Sequence, residues 1–234
     1  MTFSGRPVLR PRLRRRTAIV LCTVLALTAL AGTAEALVRH RIAGRVAAVA
    51  GERLGTTPDV GLGATPALWQ VARGSLPDVE LTANGVSARH MTGLAVDAHL
   101  RQVRRSGQGG TVGSSSVTVD IGATSLAATG GSGPDTEVVP DPAHGRLVVH
   151  VGRAGALTVP VTPVLAGRQI RLTPGRPEFA GTPLPDALAK RITAEVSRTV
   201  ALTDLPLELA PRRLKVTDDG LRLTLSGGHA AFRA

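Results

Sequence analysis

Apolar and polar positions change period several times along this chain, and each change predicts an element. Thr17 to Ala34 carry no charge and include Ile19, Val20, Leu21, Val24, Leu25, Leu27 and Leu30. A membrane span needs ~20 such residues and a signal h-region ~7–15, so the run falls between the two. From Glu35 to Leu54 the apolar residues Val38, Ile42, Val46 and Val49 recur at helical spacing, with Arg on other faces. Gly55 and Pro58 end that helix. A second, short helix is predicted around Leu68 and Trp69, with Thr65 as N-cap, Pro66 at its first position and Gly74 after its end.

The period then falls to two. Strands are predicted over Val79 to Ala88, Leu94 to Arg101, Val117 to Ala123, Leu147 to Val151, Leu157 to Val164 and Gln169 to Thr173. The Gly, Ser, Thr and Pro content of Ser106–Ser116 and Ala128–Pro142 reads as loop. Leu188, Ile192, Val196 and Val200, at steps of four after Pro183 and Pro185, predict an amphipathic helix. Asp218-Asp219-Gly220 between the alternating runs Leu214–Thr217 and Leu221–Leu225 predicts a closing hairpin.

Few helices, many strands and no alternating βαβ units make an α+β plan, with a curved, mostly antiparallel sheet wrapped around amphipathic helices. An elongated apolar groove between helix and sheet follows from it, lined by Leu188, Ile192, Val196, Val200, Leu81 and Val96, with Leu68 and Trp69 at its mouth.

Charge changes the picture at the N-terminus. The net charge of +11 looks like a nucleic-acid signal, yet residues 1–31 hold six Arg and no acid. Residues 55–234 hold 18 cations against 15 anions, so the body is close to balanced. A basic arm before an apolar run is a topology signal that keeps the arm in the cytoplasm and sends the body outward. The expected organisation is a cytoplasmic arm (1–16), a transmembrane anchor or signal peptide (17–36), and an extracytoplasmic domain (37–234). Ala29-Leu30-Ala31 and Ala34-Glu35-Ala36 leave cleavage open, and with it a secreted or periplasmic product. Arg39, Arg41 and Arg45 are candidates for a lipid headgroup or membrane surface.

Composition removes several kinds of chemistry. The one cysteine, Cys22, lies in the apolar run, so the body has neither disulfide nor thiol nucleophile. The six His show no ligand spacing, and no nucleophile elbow, P-loop or dinucleotide fingerprint occurs. No catalytic residue, metal or cofactor is expected. With no Tyr, one Trp and three Phe, base stacking is poorly served, and nucleic acid is not an expected partner.

Two segments carry a family resemblance. Val60-Gly61-Leu62-Gly63-Ala64-Thr65-Pro66-Ala67-Leu68-Trp69-Gln70, leading to Arg73-Gly74-Ser75-Leu76-Pro77-Asp78-Val79-Glu80-Leu81-Thr82-Ala83, and the ending Leu214–Gly227 resemble the LmeA-like phospholipid-binding family of actinobacterial cell envelopes. The resemblance implies a tubular lipid-binding-like α+β fold, a phospholipid or glycolipid partner, and a role in envelope glycolipid biogenesis. The family's aromatic after Pro is absent: Pro66 is followed by Ala67-Leu68-Trp69, with the bulk shifted to Trp69. Against a lipid binder stand a scaffolding envelope protein with a protein partner, and an envelope lipid hydrolase.

Overall fold

The structure is a computed structural model and describes residues 32–48, 50–52, 55–63, 65–88, 91–106, 109–129, 135–152, 155–203 and 205–233. The basic arm and the apolar run up to residue 31 lie outside them. Helix α1 covers residues 32–48 and continues over 50–52. Strand β1 (Asp59–Leu62) and helix α2 (Ala67–Arg73) precede two long strands, β2 (Ser75–Ala88) and β3 (Met91–Ser106). Next come β4 (Gly109–Val112), β5 (Ser114–Gly122), helix α3 (Ala123–Thr129), β6 (Thr136–Asp141), β7 (Arg146–Val151), β8 (Leu157–Ala166) and β9 (Gln169–Pro174). Short strands β10 (Glu178–Phe179) and β11 (Thr182–Pro183) lead to helix α4 (Asp186–Val196) and β12 (Arg198–Ala201). A 3-10 turn at Pro206–Glu208 precedes β13 (Ala210–Thr217), β14 (Gly220–Gly227) and β15 (Ala230–Arg233).

The strands form two antiparallel sheets. The eight-stranded one runs β1-β2-β3-β5-β14-β13, with β4 bridging β3 and β15. The seven-stranded one runs β11-β10-β8-β7-β6, with β9 bridging β8 and β12. Alternation sets which face is buried. On β14, Leu221, Leu223 and Leu225 are buried while Arg222 points outward, where its Nε donates to Asp120 Oδ1 at 2.6 Å. That hydrogen bond raises the Arg222 pKa above its ordinary value.

The core lies between the two sheets. One buried cluster joins Ala83, Val86, Leu94, Ile121, Val216 and Leu221 of the larger sheet to Val138 and Leu147 of the smaller, with Leu126 of α3 packed against it. The other joins Ala98, Val117, Leu223 and Leu225 to Ile170 and to Leu209 beside the 3-10 turn. The expected sheet wrapped around the amphipathic helices is therefore replaced by sheet packed on sheet. The stripe helix α4 contributes to neither cluster and rests against β9.

Three local readings change. The helix expected to reach Val200 ends at Val196, and Val200 sits on β12 opposite Ile170. Thr199 and Val200 are β-branched and complete an edge pairing that continuation of the helix would forgo. Ala128–Pro142 is not all loop, since Ala123–Thr129 forms α3 and Thr136–Asp141 forms β6. Seven residues are too few for periodicity to register, and α3 is held by packing on β3 and β6. Ser106–Ser116 contains β4 and the start of β5. Gly110 and Gly113 serve close packing: a Cβ on Gly110 would lie 2.4 Å from the Arg104 carbonyl oxygen, and one on Gly113 2.6 Å from Gln102 Oε1.

Candidate functional site

The second core cluster carries the larger set of half-buried apolar neighbours. Leu81 on β2, Val96 on β3, Leu165 and Leu172 of the smaller sheet, and Leu202, Leu205 and Leu207 of the segment before β13 all pack against it while only half-buried. Leu81 pairs with Ala98, and Val96 pairs with Ala83 on β2 and Val119 on β5, so both lie on one continuous apolar face. No charged side chain is buried among the described residues; the buried polar side chains there are Gln70 and Ser115. Such a surface can take up hydrocarbon at about 0.8 kcal/mol per CH₂.

The expected lining residues part company. Leu81 and Val96 both pack, half-buried, against the second core cluster. Val200 shares a cross-strand position with Ile170 but is 38% exposed on the sheet edge. On α4, Ile192 and Val196 are half-buried whereas Leu188 is 50% exposed. Trp69 is 55% exposed on α2, with the Arg73 guanidinium 4.5 Å above its ring. The Leu68 side chain lies outside the described part of the structure.

The arginine candidates separate as well. Arg39 of α1 donates to the carbonyls of Leu62 and Gly63, and Glu35, one turn earlier, accepts from the backbone N–H of Ala67. The two side chains clamp α1 to the β1–α2 connection, and Glu35 accepts from the first N–H of α2. Arg41 and Arg45 are exposed. Leu165, Leu172, Leu202, Leu205 and Leu207 were not singled out by sequence. The first two carry the strand alternation that could have flagged them; the last three sit in an aperiodic stretch.

Among the described residues no group of three or more His, Cys, Asp or Glu is placed to hold a metal ion. No described helix is long and apolar enough to cross a membrane. Residues 29–226 match the model of the LmeA-like phospholipid-binding family. The chain belongs to that family. No curated protein and no solved structure gives a match. The match takes in both sheets up to β14 and both segments of the family resemblance. In this family member the Gln that ends the first segment, Gln70, is 2% exposed; its Nε2 donates to the Thr65 carbonyl at 2.8 Å, and its Oε1 is buried without a partner. Gln70 thus braces the turn that presents Trp69 to solvent.

Proposed function

We propose that the protein is an exported, membrane-tethered lipid carrier. It holds the acyl chain of a phospholipid or glycolipid against the half-buried apolar face between its sheets, in the manner of a tubular lipid-binding domain. The observation that carries this reading is membership of a phospholipid-binding family over residues 29–226, joined to an interior whose half-buried lining is apolar. The basic arm and the uncharged run before residue 35 support a tether, with the body outside the cytoplasmic membrane. In the envelope the carrier would support glycolipid biogenesis by presenting lipid to other proteins.

Uptake of a pyrene-labelled phospholipid tests the proposal. Self-quenched labelled vesicles mixed with the chain beginning at residue 32 are expected to show a rise in monomer emission that saturates with protein. A flat signal with folded protein would remove the lipid-carrier reading and favour a scaffold.

A further inference from the structure

Resting on the reading of the protein as membrane-tethered, we infer that one end of the larger sheet is a docking face for an anionic bilayer surface, built from Trp69, Arg73, Arg101, Arg104 and Arg105. The register brings these residues together. Ser75, at the start of β2, pairs with Arg104, and Asp78 with Arg101. The Arg105 N–H donates to the carbonyl of Gly74, which directly follows Arg73 at the end of α2. All four arginines are exposed, and among the described residues none has a carboxylate within ion-pair distance. Arg73 is stacked on the ring of Trp69, the only Trp in the protein. Exposed Trp beside unpaired cations matches the chemistry of the headgroup layer, where an indole is half-solvated and basic side chains meet lipid phosphates.

The path of the chain selects the same end. The Glu35 and Arg39 clamp fixes the start of α1 at the β1–α2 connection, so the chain enters the fold beside α2. Beyond the end of α1, Thr56 Oγ1 donates to the carbonyl of Asn84, far along β2 from Ser75. Helix α1 thus runs away from the docking end. The β2–β3 end supplies the primary headgroup contacts. Along β2 and β3 the half-buried cluster around Leu81 and Ala98 lies nearer this end, and the cluster around Val86 and Leu94 lies farther away. Lipid leaving a bilayer beneath Trp69 would meet the half-buried apolar face first.

The test uses the full chain in nanodiscs of phosphatidylcholine with or without phosphatidylglycerol, with brominated phospholipid quenching Trp69. Strong quenching is expected in the anionic discs, and its loss in high salt, in phosphatidylcholine alone and in the Arg101→Gln/Arg104→Gln/Arg105→Gln variant. The corresponding triple Lys variant is expected to restore it. A Trp69→Phe/Leu188→Trp control, with its indole on α4, is expected to stay bright. Unquenched Trp69 in anionic discs would overturn the docking face. So would quenching that survives both salt and the triple Gln variant, because it would come from lipid held inside the protein. Native mass spectrometry on the same samples separates the two ideas. Retained lipid with unquenched Trp69 overturns the face and leaves the lipid reading intact, whereas quenched Trp69 without retained lipid supports the face and removes that reading.

Discussion

Asp141 shows how much one side chain can hold in place. At the β6–β7 turn its carboxylate accepts from His144 Nδ1 and from Arg146 Nε, both at 2.8 Å. These hydrogen bonds, His144 first, lower its pKa below the ordinary carboxylate value. A lowered folded-state pKa adds stability that is fully present above the unfolded value, about 4, and is lost as pH falls through the folded one. Thermal denaturation of Asp141→Asn is therefore expected to show a lower Tm than the parent near neutrality and a vanishing difference in acid. A difference that persists in acid would mean the loss is steric. Gly220 is constrained by backbone. Its φ is +152°, and a Cβ there would lie 2.1 Å from the Ile121 carbonyl oxygen. Gly220→Ala is expected to cost roughly 1–3 kcal/mol in urea denaturation, since the β5–β14 ladder must shift to admit a methyl group. The need for glycine at this turn was legible from Asp-Asp-Gly between alternating runs. The role of Arg39 was not, because its carbonyl partners lie more than twenty positions away.

Elements were legible where one face repeats over enough residues. Helix α1, the β2–β3 pair and the β13–β14 hairpin lie where their periodicity places them. Short or glycine-rich elements such as α3 and β4 form because the rest of the fold offers them partners, and no local pattern announces them. Val200 was drawn into the helical stripe because a step of four also fits it, yet pairing with Ile170 takes precedence. The α1 clamp leads to an element-scale expectation. Arg39→Ala removes charged hydrogen bonds to two carbonyls and is expected to lower stability by about 1.5–3 kcal/mol. Hydrogen exchange should quicken over α1 and residues 59–67 while β5 and β14 keep their protection. Unchanged exchange in α1 would show that apolar packing alone docks the helix.

For the whole molecule, the sequence pointed to an α+β body of many antiparallel strands, but not to two sheets facing each other. That arrangement depends on which strands cross over, such as β14 inserting beside β5 and β12 returning to β9. It decides the candidate site. Leu81 and Val96 were identifiable from β2 and β3, while their partners across the interior became visible only through the topology. Val96 packs against both core clusters, so Val96→Phe is expected to fill interior space, keep or raise Tm, and reduce the lipid retained. The most direct test of the lipid interior is native mass spectrometry of the chain from residue 32, purified without detergent from cells that make phospholipids. A population carrying the mass of one lipid is expected, diminished in Val96→Phe. A uniformly empty, folded protein that also stays empty after incubation with phospholipid vesicles would contradict it.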